Sequence, residues 1–138
     1  MLKSGKKEAR PMRLAISCAI ILGLTGAAMA DPATGTWQTE PDKKGIIAYV
    51  NVYDCGDAVC GEITRTFNSQ GQEIKAASLG HTVIRNATPT GNGKYEGRAW
   101  IPAHQREYPA GMTLRGDRMT VRGCMGPICM SQNWTRIQ

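Results

Sequence analysis

The residues able to carry chemistry are few and scattered. The chain has two histidines, His81 and His104. His104 sits close to Arg106 and Glu107, and an imidazole beside a carboxylate is the pattern of a general acid–base or metal pair. Pro102 and Pro109 exclude a helix that would align them, so the pair reads as an exposed loop. Asp54, Asp57 and Glu62 flank a cysteine loop and offer oxygen ligands. They lack the Asp-x-Asp-x-Asp-Gly spacing of a calcium loop and read as a solvated turn. Ser131 has no Gly-x-Ser-x-Gly setting. Gly91-x-Gly93-x-x-x-Gly97 misses the dinucleotide spacing and reads as a hairpin. Asn86-Ala-Thr88 and Asn133-Trp-Thr135 match the glycosylation pattern, without weight behind a bacterial-type leader. This inventory points to no enzyme, no cofactor and no metal.

The cysteines are more informative. Residues 14–24 form an uncharged apolar run preceded by Arg13. Ala28-Met29-Ala30 then supplies a small-x-small cleavage site before Asp31. These are the parts of a secretory signal peptide over residues 1–30, leaving a domain of residues 31–138. Met12 is an alternative start to Met1. Cys18 falls in the leader without an apolar run ahead of it and reads as a small hydrophobe. Export to the periplasm or medium favours disulfides among Cys55, Cys60, Cys124 and Cys129. The two Cys-x4-Cys units favour the local pairs Cys55–Cys60 and Cys124–Cys129, each worth about 2 kcal/mol by loop closure. Crossed pairing and a four-cysteine zinc site are the alternatives.

Length and charge narrow the class. The 138 residues carry 17 Lys and Arg against 11 Asp and Glu, a net +6. Residues 1–30 hold five of the basic and one of the acidic groups, so the domain is only mildly basic. Its basic residues are scattered singly, which argues against nucleic acid as a partner. After cleavage no apolar stretch remains to span a membrane as a helix.

The elements that must position these residues are strands. Apolar and polar residues alternate in Thr36–Thr39, Gly45–Asp54, Gly61–Phe67, His81–Asn86, Lys94–Ile101, Gly111–Arg115, Arg118–Cys124 and Ser131–Ile137. Asn92-Gly93 and Gly116-Asp117 are hairpin turns between them. Gly71–Ser78 reads as a short helix or an irregular loop. About eight successive strands predict an all-β fold, a small antiparallel up-and-down barrel whose closure removes its edges.

Five segments carry a resemblance: Gly35-Thr-Trp37, the run Tyr53-Asp-Cys-Gly-Asp-Ala-Val-Cys-Gly61, Gly93-Lys-Tyr-Glu-Gly97, Met119-Thr-Val-Arg-Gly-Cys124 and Ser131-Gln-Asn-Trp-Thr-Arg136. In this order the sequence resembles the bacterial exported family catalogued as domain of unknown function 2147, across about residues 33–137. The resemblance implies a lipocalin-like barrel and no particular activity. Ile101-Pro-Ala-His-Gln-Arg-Glu-Tyr108 departs from the family's usual Asp-Pro and Gly-Lys-x-Tyr turn. In lipocalin-like barrels a Gly-x-Trp of the first strand packs against an Arg of the last. By position Trp37 and Arg136 fill those roles and close the barrel, with cation–π energy of roughly 0.5–2 kcal/mol.

Aromatic residues are the remaining clue to function. Tyr and Trp pair apolar bodies with polar tips and suit a barrel mouth. Tyr49, Tyr53, Tyr95 and Trp100 are the candidate ligand-lining residues, although strand alternation does not say which face is interior. The reading is an exported, monomeric, non-catalytic binding protein for a small, partly apolar ligand. The alternative is an envelope protein-interaction or stress module with a filled barrel. An enzyme would have only His104, Arg106 and Glu107 to work with.

Overall fold

The structure is a computed structural model that describes residues 29–138 together with Gly23 and Gly26. The expected signal peptide lies almost wholly outside the described residues. Nine strands follow in chain order: β1 (Gly35–Gln38), β2 (Ile47–Cys55), β3 (Ala58–Phe67), β4 (Glu73–Ile74), β5 (Thr82–Gly91), β6 (Lys94–Ile101), β7 (Arg106–Arg115), β8 (Arg118–Met125) and β9 (Ile128–Arg136). All pairings are antiparallel. Sequential neighbours meet from β5 to β9, β9 returns to β1, and β1–β2–β3–β5 completes the ring. The result is an eight-stranded closed barrel, with β4 as a short strap on the lower half of β3.

Two differences from the sequence reading concern prolines. β5 runs on through Pro89, and β7 begins at Arg106 and passes through Pro109. A proline removes one ladder donor and masks a strand in sequence. In the wall each prolyl residue instead takes a register position, Pro89 opposite Tyr95 and Pro109 opposite Arg98. Gly71–Ser78 contains no helix; it holds the two-residue β4 and turns.

Alternation fixes the core. Ala48, Val50 and Val52 of β2 face inward, as do Val59 and Ile63 of β3, Tyr95 and Ala99 of β6, Met112 of β7, Met119 and Val121 of β8 and Trp134 of β9. Trp37 is wholly buried among them. These side chains meet at the axis, so the middle of the barrel is packed solid. Gly97 also lies on the inner side, between Tyr95 and Ala99. It allows β5 to kink across β6: a Cβ there would stand 2.7 Å from Ala87 Cα and 2.8 Å from Arg85 O. The kink is a bulge between Arg85 and Thr88, with Asn86 in the left-handed region at φ 50°.

One end of the barrel is shut. The turns 56–57, 92–93 and 116–117 and both termini of the domain gather there. Residues 31–34 cross it as a plug. Trp37 Nε1 donates to Ala33 O at 2.9 Å. The Arg136 guanidinium lies 4.4 Å from the centre of the Trp37 ring. It donates to Thr34 O at 2.5 Å and to Pro32 O at 2.6 Å, and its Nε donates to Asp117 Oδ1 at 3.1 Å. Gly35 explains the first position of the Gly-x-Trp motif. Its φ is 137°, and a Cβ would collide with Gln138 O and the Arg136 guanidinium. The β1–β9 ladder itself is short, with two residue pairs, Trp37↔Arg136 and Gln38↔Thr135.

Both disulfides take the local pairing, Cys55–Cys60 and Cys124–Cys129. Each staples a two-residue hairpin turn, one at each end of the barrel. Loop closure of this length contributes about 2 kcal/mol. Replacing either pair with alanine should therefore lower the free energy of unfolding by about 2 kcal/mol, read as an earlier urea midpoint.

Candidate functional site

The plugged end also carries Tyr95, the one proposed lining residue that points into the barrel. It is 4 % exposed, and its hydroxyl donates to Asp31 Oδ1 at 2.5 Å. Asp31 Oδ1 accepts Ala33 N as well, which ties the plug to the wall. Burial first, then the bond to Asp31, pushes the phenol above its ordinary value. A raised folded-state value means that the proton is held more tightly when folded. The stabilisation is full below the unfolded phenol value of about 10 and is lost as pH rises above it. The unfolding free energy should fall above about pH 10, and Tyr95→Phe should flatten that fall.

Tyr49 and Tyr53 point outward. They occupy the odd positions of β2, opposite in face to Ala48, Val50 and Val52. Tyr53 is 38 % exposed. Tyr49 packs against Phe67 with ring centres 4.7 Å apart, and Arg65 lies over both rings. Arg65 in turn forms a bidentate pair with Glu73 at 2.9 and 3.0 Å. That bond holds the Glu73 carboxyl below its ordinary range. An open cleft of about 290 Å³ adjoins this cluster, lined by Thr64, Thr66, Glu73, Lys75 and Leu79 among others.

Trp100 shares the outer face of β6 with Arg98, alternating with inward Ala99. It is half buried and stacked on His81, with centres 4.2 Å apart and planes 5° from parallel. The four aromatic residues therefore do not share a site: one is inside near the closed end and three are on the outer wall. The enzyme candidates also separate. Glu107 lies between Arg85 and Arg98, at 3.5 and 3.3 Å, on the outer wall. His104 instead contacts Tyr108, Nδ1 to Oη 3.2 Å.

The opposite end of the barrel is open. It gathers the segments 39–46 and 68–81 and the turns 102–105 and 126–127. Its inner surface between β6 and β9 is apolar. The register pairs Met119↔Trp134, Val121↔Gln132, Gly123↔Met130 and Met125↔Ile128 carry the inward face of β8 and β9 up from the core to the rim. At the rim these residues lose their cover: Met125 is 45 %, Ile128 64 % and Met130 52 % exposed. Together with Ile101, His104 and Tyr108 they line a shallow hollow, whose enclosed space of about 10 Å³ fits roughly one water. The Cys124–Cys129 bond pairs directly opposite residues on the other face of this hairpin and braces its tip.

Sequence reasoning missed this mouth because Met-Gly-Pro-Ile between two cysteines reads as a turn. The signal was there: turns are normally polar, and this one carries two large apolar residues. Among the described residues no group of three or more His, Cys, Asp or Glu side chains is placed to hold a metal. Among the same residues no helix is long and apolar enough to cross a membrane.

Comparison with known proteins agrees with this architecture. No curated protein matches the chain. Among solved structures, protein HP1028 from the human pathogen Helicobacter pylori, described as belonging to the lipocalin family, superposes with a TM-score of 0.60. The identity is 11 %, over 76 % of this chain and 82 % of that one, so the likeness concerns the fold. Residues 35–136 match the family described as uncharacterized protein conserved in bacteria, DUF2147. That span runs from the glycine of the Gly-x-Trp motif to the arginine that closes the ring: the chain belongs to the DUF2147 family and folds as a lipocalin-like barrel.

Proposed function

We propose that the protein is an exported, non-catalytic binding protein for a small, partly apolar ligand, which it takes at the open mouth. The supporting observation is the exposure of Met125, Ile128 and Met130 on the same face of β8 and β9 that buries Met119, Val121 and Trp134 further along. Contiguous exposed apolar surface marks binding sites in folded proteins. Two disulfides fit an oxidising bacterial compartment, the periplasm or the medium. The packed core limits the ligand to inserting one apolar end, while its polar part stays at the rim, where Arg106 opens β7.

The test is a titration with a fluorescent hydrophobic dye and competition by medium-chain fatty acids. The wild type should take up dye, and fatty acid should displace it. Ile128→Asp puts a carboxylate at the centre of the mouth and should abolish uptake without changing the unfolding midpoint by more than a small amount. Equal uptake by Ile128→Asp and wild type would overturn the assignment.

The shallowness of the hollow favours a second reading, an envelope protein-interaction module whose filled barrel presents the same rim to a partner. In that case dye uptake is absent, and cross-linking in the native envelope captures a partner that Ile128→Asp releases.

A further inference from the structure

Two of the three large apolar residues exposed at the mouth are methionines, and the third side of the hollow is a histidine. Leucine would line an apolar mouth as well as methionine does. Methionine adds a neutral, polarisable thioether, a ligand for soft metal ions. The register places both thioethers on one side of the hairpin. Met125 stands opposite Ile128 and Met130 opposite Gly123, so the two methionines are diagonal neighbours on the inner face. Such neighbours are about 7–8 Å apart at the backbone, within reach of each other through long side chains. The absent side chain of Gly123 leaves room between them.

His104 faces the same hollow from the 102–105 turn. Its Nδ1 is engaged with Tyr108 Oη at 3.2 Å. In the tautomer that donates Nδ1–H to Tyr108, Nε2 carries the free lone pair. This is how a metal-binding imidazole is ordinarily oriented, with one nitrogen held by the protein and the other presented to the ion. The domain's other two methionines, Met112 and Met119, are buried in the core and take no part.

We propose that Met125, Met130 and His104 form a binding site for a soft monovalent ion of the Cu(I) type. One imidazole and two thioethers carry no negative charge. That set disfavours hard divalent ions, which need carboxylate or carbonyl oxygen, and suits a d10 monocation. Tyr108 is the positioning residue, acting through the imidazole. The site does not depend on the mouth's binding an apolar ligand.

The test uses Ag(I) as nitrate in chloride-free buffer, a redox-inert d10 stand-in for Cu(I). The protein is the full chain in a Cys18→Ser background, which removes the one cysteine outside the disulfides. With methionine methyl groups labelled, the Met125 and Met130 resonances should shift on addition of Ag(I), while those of Met112 and Met119 stay fixed. Calorimetry should show Met125→Leu, Met130→Leu and His104→Gln each weakening this binding at least about tenfold, and Tyr108→Phe weakening it less. The leucine variants keep the mouth apolar, so dye uptake separates this site from the ligand reading. Absence of Ag(I) binding, or affinity unchanged in Met130→Leu and His104→Gln, would overturn the proposal.

Discussion

Trp37→Ala is expected to lower the free energy of unfolding by about 3–5 kcal/mol, the usual cost of emptying a fully buried tryptophan site. Typical domains have only about 5–15 kcal/mol in total, so the variant should sit near the edge of folding. The indole does three things at once. It fills the closed end, it donates to Ala33 O, and it offers its face to Arg136. Arg136→Ala removes the other half of the latch. It leaves the carbonyls of Pro32 and Thr34 without their donor and should cost about 2–4 kcal/mol, from lost charged hydrogen bonds and the cation–π contact. Urea unfolding of the two single variants and the double variant measures the coupling. The double variant should lose less than the sum of the singles, because each substitution already breaks the shared contact. Additive losses would show that the stacking contributes nothing.

Gly97→Ala should be nearly as damaging although it adds only one methyl group. The new Cβ would meet backbone atoms of Arg85 and Ala87 at under 3 Å, and backbone cannot swing aside as a side chain can. The β5–β6 ladder has to part at its kink, which places the cost at or above the upper end of the about 1–3 kcal/mol typical of overpacking. Gly111→Ala is the control. Its Cβ would have Tyr95 O at 3.8 Å as its nearest contact, an ordinary separation, and the change should be close to neutral. Thermal melts of the two variants side by side would check the contrast, and a Gly97→Ala protein as stable as Gly111→Ala would refute the kink's importance.

The latch was legible through the resemblance to lipocalin-like barrels, which assigns Gly35-Thr-Trp37 and Arg136 to the first and last strands and packs one on the other. The need for glycine at 97 was not, because it arises from the path of β5, not from β6. The barrel and its strand order followed from alternation and from turns such as Asn92-Gly93, whose two residues adopt φ of 56° and 73°. The direction of the tyrosines did not follow. β2 carries apolar residues on both faces, Ala48, Val50 and Val52 on one and Ile47, Tyr49 and Tyr53 on the other. Small side chains went to a tightly packed axis, and the large rings went outside, Tyr49 beside Phe67 and Arg65 and Tyr53 into solvent. The local disulfide pairing was favoured over the crossed one because each Cys-x4-Cys unit holds Gly and turn-like residues and can close on itself. The mouth was hidden by the same cysteines, since a stapled turn draws the eye from the alternating Met125, Ile128 and Met130 that continue the inner face past it.

The two-pair ladder between β1 and β9 bears on how the ring comes together in time. Every other contact between neighbouring strands joins segments close in the chain, whereas this one joins Trp37 to Arg136 across nearly the whole domain. Contacts so distant in sequence carry the largest loop-closure entropy and reward the chain last. The meander from β5 to β9 can therefore assemble as a curved open sheet before the circle shuts. The seam is also where the circle should open first. Amide hydrogens of Gln38 and Ile137, which face each other's strands across the seam, should exchange with solvent sooner than those of Met112 or Val121, whose strands carry six- and eight-pair ladders on their two sides. The plug of residues 31–34 and the arginine latch then act as a clasp over a join whose ladder runs for two residue pairs and is continued by backbone bonds between Thr36 and residues 137–138.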